Sequence, residues 1–133
     1  MTVYIDGYNL MGWLGYFDSM RKGEITWREA KNKILRKISE SPSLKNADQI
    51  KIVLVYDSKG GRDFSGKLHH KKIKRFSHRG IKIIFPKSSA DDFIWRVAEK
   101  GEAVVTTRDR ELREQLEKKG VQVRSLEFFF KKN

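Results

Sequence analysis

The sequence predicts an α/β fold, a mostly parallel five-stranded sheet with helices on both faces. Three observations carry that expectation. Short apolar runs of strand length recur at residues 3–5, 50–56, 81–85, 103–106 and 121–123. Helical patterns separate most of them, in the order βαβ(α)βαβαβ. The first two runs end on an aspartate, Asp6 and Asp57, and Asp109 stands just after the fourth.

A chain of 133 residues fits one domain with one core, and residues 1–133 are read that way, without linker or internal repeat. Apolar residues make up 38%, enough when concentrated in short strands and helix faces. No run approaches the roughly 18–20 apolar residues of a membrane span, and no signal-peptide pattern opens the chain. With zero cysteines, disulfides and thiolate metal sites are excluded, which fits a cytoplasmic protein. The net charge of +12, from 29 Lys and Arg against 17 Asp and Glu, points to a polyanion partner. A surface charged only for solubility at high temperature would be nearer balance.

The first strand, Val3-Tyr4-Ile5, runs into Asp6-Gly7-Tyr8-Asn9. A charge where a buried strand leaves the core suggests chemistry, since ligands and metals bind at strand ends in such sheets. The plain alternative is a solvated Asp-Gly turn. Residues 10–17 are apolar and aromatic, broken by Gly12 and Gly15, and read as a short helix on the sheet or a wall beside the site. Thr26-Trp27-Arg28-Glu29 is a capping box. Trp27, Ala30, Ile34, Leu35 and Ile38 then recur at helical spacing, and Pro42 ends that helix.

Residues 50–56 have the near-continuous apolar pattern of a strand covered on both faces. Composition then changes. Residues 59–82 hold nine basic side chains (Lys59, Arg62, Lys67, Lys71, Lys72, Lys74, Arg75, Arg79, Lys82) against one acid, Asp63. Gly60-Gly61 and Gly66 loosen its start, while Leu68, Ile73 and Phe76 give anchorage for a partly helical segment. His69, His70 and His78 lie in this run without convergent acids, so they read as surface or RNA-facing residues and not metal ligands. Pro86 closes the third strand. Ser88-Ser89-Ala90-Asp91-Asp92 opens a helix with Phe93, Ile94, Val97 and Ala98 inward. Thr107-Arg108-Asp109 starts another on Leu112 and Leu116, with Gly120 at its C-terminal cap. Leu126, Phe128 and Phe129 pack a final turn.

In a parallel sheet the residues following the strands meet along one edge. Asp6, Asp57, the Asp91-Asp92 pair and Asp109 all follow strands. Acids gathered at one edge repel one another unless a cation sits among them. Oxygen-only ligands favour Mg²⁺ or Mn²⁺, which also bind phosphate oxygens and activate water. Each acid has a plainer role open to it: Asp92 completes a capping box with Ser89, Asp109 caps its own helix, and Asp57 caps a turn with Ser58.

Several motifs together resemble the NYN domain family, nearest its YacP-like branch within the PIN-like nucleases. They are Asp6-Gly7-Tyr8-Asn9, Val55-Tyr56-Asp57, Gly60-Gly61, Ala90-Asp91-Asp92-Phe93-Ile94 and Thr107-Arg108-Asp109-Arg110-Glu111-Leu112. The resemblance spans residues 3 to about 126. It implies a Mg²⁺- or Mn²⁺-dependent endoribonuclease with a PIN-like fold, in which Asp6, Asp91 and Asp109 match the metal-binding acids. Asn9 matches the asparagine that orients the first acid's loop, and Asp57 a recurrent acid near the site. Asp92 matches the second acid after the Ala-Asp pair, and Thr107 the hydroxyl before the last acid. Residues 67–79 follow no family motif.

The expectation is therefore a nuclease cutting single-stranded or loop RNA, associated with mRNA or the ribosome and with no membrane. Asp6, Asp91 and Asp109 hold the metal, Asp57 and Asp92 complete the acidic pocket, and Asn9 and Thr107 orient ligands and water. Lys59, Arg62, Lys67, Lys71, Lys72, Lys74, Arg75 and Arg79 are the expected RNA contacts. The rival is a non-catalytic RNA-binding module on the same fold, using the basic segment. A phosphatase would want a second Asp two residues after Asp6, and a receiver domain a pair of acids after strand one; neither is present.

Overall fold

The computed structural model describes residues 1–45, 50–57, 74–78 and 80–132. Among the described residues six strands form one sheet: β1 (Thr2–Asp6), β2 (Lys51–Val55), β3 (Lys74–His78), β4 (Ile81–Phe85), β5 (Ala103–Thr106) and β6 (Gln122–Arg124). Their spatial order is β3-β4-β2-β1-β5-β6. Five of them, β4-β2-β1-β5-β6, are parallel, and β3 lies antiparallel on the β4 edge.

The alternation of side chains along each strand feeds two cores. On one face Val3, Ile5, Leu54, Tyr56 and Val104 are buried against α1 (Gly7–Trp13), α2 (Tyr16–Arg21), α3 (Trp27–Glu40), α4 (Pro42–Lys45) and α7 (Leu126–Phe129). On the other, Val53, Val55, Val105 and Val123 meet α5 (Ala90–Val97) and α6 (Arg110–Lys118). The helix over residues 27–40 begins at the expected capping box: Glu29 N donates to Thr26 Oγ1 at 3.1 Å, and Thr26 N to Glu29 Oε1 at 2.9 Å. The apolar stretch at 10–17 divides into two short helices at Gly15, whose φ of 80° suits a residue without Cβ. Among the described residues no helix is long and apolar enough to cross a membrane.

Two points differ from the sequence reading. The described part of the basic segment, Lys74–His78, is a strand that the reading did not anticipate, while residues 59–73, on which the partly helical reading also falls, lie outside the described residues. Gly80, at φ 79°, supplies the left-handed residue that a tight hairpin into β4 needs, and His78 pairs with Ile81 across it. At an edge, a basic strand also resists pairing with other chains. Second, Val97 and Phe128 do not point inward: they are 36% and 56% exposed. In the last turn of α5 Ile94 and Ala98 take the buried positions and leave Val97 on the outer side, and Leu126, Phe129 and Phe130 are the buried residues at α7.

The strand order places the site. From β1 the chain steps to β2 and β4 on one side, then α5 carries it across to β5 and β6 on the other. The reversal falls between β1 and β5. In open parallel sheets a crevice opens at the carboxyl ends of such a strand pair.

Candidate active site

Four carboxylates, Asp6, Asp57, Asp91 and Asp109, line one cleft of about 560 Å³ at that crevice, with Tyr8, Asn9 and Arg108 also in its wall. Each comes from a different segment. Asp6 ends β1 and caps α1, Asp57 follows β2, Asp91 stands in the first turn of α5, and Asp109 caps α6. Three helix N-termini thus face the acids, which tempers their mutual repulsion.

The framework between Asp6 and Asp109 is a chain of hydrogen bonds. Asn9 donates from its backbone N to Asp6 Oδ1 at 3.1 Å and from Nδ2 to Asp6 Oδ2 at 3.0 Å. The same Nδ2 lies 3.2 Å from Thr107 Oγ1, which also accepts from Asp109 N at 3.1 Å. Asp109 Oδ1 in turn accepts from Leu112 N at 2.9 Å. Asn9 and Thr107 therefore tie the end of β1 to the start of α6 across 98 residues of sequence. The capping role that the sequence left open for Asp109 is real, and it coexists with a place in the cleft.

The acids crowd one another. Asp6 is only 6% exposed, and burial pushes its carboxyl up to about 6, against the pull of the Asn9 and Tyr8 amides; the charges of Asp57 and Asp109 add to the rise. Asp91 is pushed up to about 7, first by burial, then by its hydrogen bond to Asp109 and by the charges of Asp109, Asp6 and Asp57. Asp109 moves the other way, held low by the Leu112 amide and then by Asp91. The two carboxyls titrate as a pair, in which the proton is favoured on Asp91 and the charge on Asp109.

The donor set is oxygen throughout, the kind that Mg²⁺ and Mn²⁺ take. Among the described residues no three His, Cys, Asp or Glu side chains converge into a ready-made metal cluster. The carboxyl oxygens of Asp91 and Asp109 face each other, and those of Asp6 face Asn9. Four carboxylates lining one cleft are nevertheless of the chemical kind that such an ion takes, and a divalent cation among them would relieve their mutual repulsion.

Asp92 lies outside this cleft. Its amide donates to Ser89 Oγ at 3.1 Å, capping α5, and its carboxylate sits 3.4 Å from Arg96. Arg108 is the residue that sequence reasoning passed over. It is exposed, on the cleft wall between Thr107 and Asp109, and its only signal was that position inside the motif. Of the expected RNA contacts, Lys74 and Arg75 belong to β3, and Arg75 is exposed. Lys74 pairs with Phe85, so this end of β3 lies at the same sheet edge as the cleft, three strand spacings or roughly 14 Å from β1. Lys59, Arg62, Lys67, Lys71, Lys72 and Arg79 lie outside the described residues.

Comparison with known proteins adds two findings. The chain matches the YacP-like NYN domain over residues 3–132. Among solved structures it is similar to that of a Rae1 (YacP) mutant from Bacillus subtilis, with a TM-score of 0.61 and 19% identity over 93% of this chain and 69% of that one. At that identity the likeness is one of fold. No curated protein matches the chain.

Proposed function

The chain belongs to the YacP-like NYN domain family of PIN-like nucleases, and on that premise we propose that it is a Mg²⁺- or Mn²⁺-dependent endoribonuclease acting on single-stranded or looped RNA. The observation that supports the reading is the cleft itself: four acids from four segments meet at the switch point of a chain whose net charge is +12. Lys and Arg outnumber the acids 29 to 17 in this sequence, and the gathering of four acids opposes that general charge.

Asp6, Asp91 and Asp109 would hold the ion, which when bound supplies a Lewis acid for the phosphate and an activated water. Asn9 and Thr107 are positioning residues, since they fix Asp6 and the start of α6 relative to each other. Asp57 adds negative charge on the β2 side. Arg108, at the cleft wall, is placed to meet a phosphate oxygen and orient the backbone for cleavage. The substrate is RNA in the cytoplasm, on the ribosome or as free mRNA, held along its backbone by the surrounding Lys and Arg.

Purified protein incubated with labelled RNA and DNA, in Mg²⁺, Mn²⁺ or EDTA and beside Asp6→Asn, tests the reading. Metal-dependent cutting of RNA that the variant lacks is the expected result. Wild type that binds RNA but leaves it intact at every metal concentration would replace the enzyme with a binding module.

A further inference from the structure

A second, larger groove of about 730 Å³ runs between α5 and α6 beside the acid cleft. Asp91 and Asp109 line both hollows, so the groove continues the surface on which the scissile phosphate would sit. Its outer wall holds Trp95, Lys118 and Lys119. Of the three tryptophans, Trp13 is buried and Trp27 half-buried, whereas Trp95 is 41% exposed. Lys119 Nζ lies 4.8 Å from the centre of the Trp95 ring and donates to the Trp95 carbonyl, which ties α6 to the ring's own turn of α5.

The charge in this groove decides what it can hold. With the two shared acids the wall holds four carboxyl groups, Asp91, Asp92, Asp109 and Glu111, against Lys118 and Lys119, and Arg96 pairs with Asp92. Phosphate attraction alone would therefore not keep a strand there. A partly exposed indole with the Lys119 ammonium over its ring, on a wall that also holds Lys118, suits a nucleotide whose base stacks and whose phosphate rests nearby.

Resting on the nuclease reading above, we propose that Trp95 is a stacking platform for a base next to the cleavage point, with Lys118 and Lys119 beside its phosphate. A strand leaving the acid cleft past Asp91 and Asp109 enters this groove directly. Stacking tolerates any base, so the contact would hold the strand in place without demanding a sequence.

The role is separated from a mere tie between helices by comparing a single-stranded RNA oligonucleotide with an abasic one of the same backbone. Binding is read by anisotropy in EDTA and in Ca²⁺, for wild type, Trp95→Ala, Trp95→Leu and Trp95→Phe. The expected result is that the Ala and Leu variants bind the base-bearing RNA about 5- to 150-fold more weakly, the range for one stacked base. The abasic strand should bind all proteins alike, and the Phe variant should recover most of the loss. Because stacking releases no counterions, the loss factor should be the same at low and high salt. The Leu variant keeps an apolar side chain beside Lys119, so it carries the test if the Ala variant fails to fold.

Equal weakening of both oligonucleotides, no weakening at all, or wild type that binds no RNA would overturn the proposal. The two readings also fail separately. Trp95-dependent binding without cleavage in Mg²⁺ or Mn²⁺ supports the platform and removes the enzyme. Cleavage with binding indifferent to Trp95 does the reverse.

Discussion

Asp6 serves two ends that oppose each other. As the cap of α1 it holds two bonds from Asn9, yet it is buried near Asp57 and Asp109, and its carboxyl sits at about 6 where an unfolded chain has 3.8. Well below pH 3.8 both states are protonated and the shift contributes nothing. Between about pH 4 and 6 the unfolded chain gives up the proton first, so stability falls as pH rises, and above that the full penalty of about 3 kcal/mol applies. Asn keeps the cap but not the charge, and loses about 1 kcal/mol of charge-assisted bonding from Asn9. Asp6→Asn should therefore melt higher than wild type in EDTA at pH 7, by roughly 5–10 °C, with the gap closing toward pH 4 and cleavage abolished. Thermal scans across that pH range in which the Asp6→Asn variant melts lower throughout would mean that the carboxylate is structural. The neighbouring Gly7 tests packing instead. A Cβ there would lie 2.6 Å from Tyr56 Cε1, and the Tyr56 ring is fixed by Tyr8, Trp27 and Phe85. Gly7→Ala should destabilise by about 1–3 kcal/mol in urea titrations, despite adding a better helix former.

The element most plainly written in the sequence is α3, whose capping box and apolar spacing both appear where they were read. Thr26→Ala removes the oxygen that accepts from Glu29 N and should cost about 1 kcal/mol, seen as a lower denaturant midpoint at unchanged slope. The central parallel strands were legible for a related reason: β1, β2 and β5 are buried on both faces and read as nearly unbroken apolar runs. The β3 strand was not, because an edge strand needs few apolar residues and this one has only Phe76 among Lys74, Arg75, Ser77 and His78. The Arg79-Gly80 pair before Ile81 was the available signal for its hairpin, and the density of positive charge obscured it. At the site the same logic held. Asp6, Asp57 and Asp109 stood out because they follow apolar runs, while Arg108 did not, being one of 29 cationic residues. The separation of Asp91 from Asp92 was beyond spacing alone. Adjacent helical residues point about 100° apart, and only the orientation of α5 decides which one faces the cleft.

For the whole molecule the question is how an acidic cleft attracts a polyanion, and the answer lies in the surrounding charge. Lys74 and Arg75 stand at the cleft edge of the sheet on β3, and Lys71 and Lys72 adjoin them in sequence. Each contact between such a side chain and a single-stranded phosphate releases counterion, so affinity should fall steeply with salt. Replacing Lys71, Lys72, Lys74 and Arg75 together with Gln should weaken RNA binding and flatten the slope of log affinity against log salt by roughly 0.7 per lost contact. The same variant should still cut RNA at saturating protein concentration, because the chemistry belongs to the acids of the cleft and the charge of this segment only raises occupancy. Anisotropy and gel cleavage on the same samples read both quantities. An unchanged salt slope would mean that these side chains face something other than the RNA. A flattened slope with cleavage lost even at saturation would mean that the segment helps to place the scissile phosphate. The expected pattern, weaker binding with intact saturating turnover, would assign capture to the basic segment and chemistry to the strand ends.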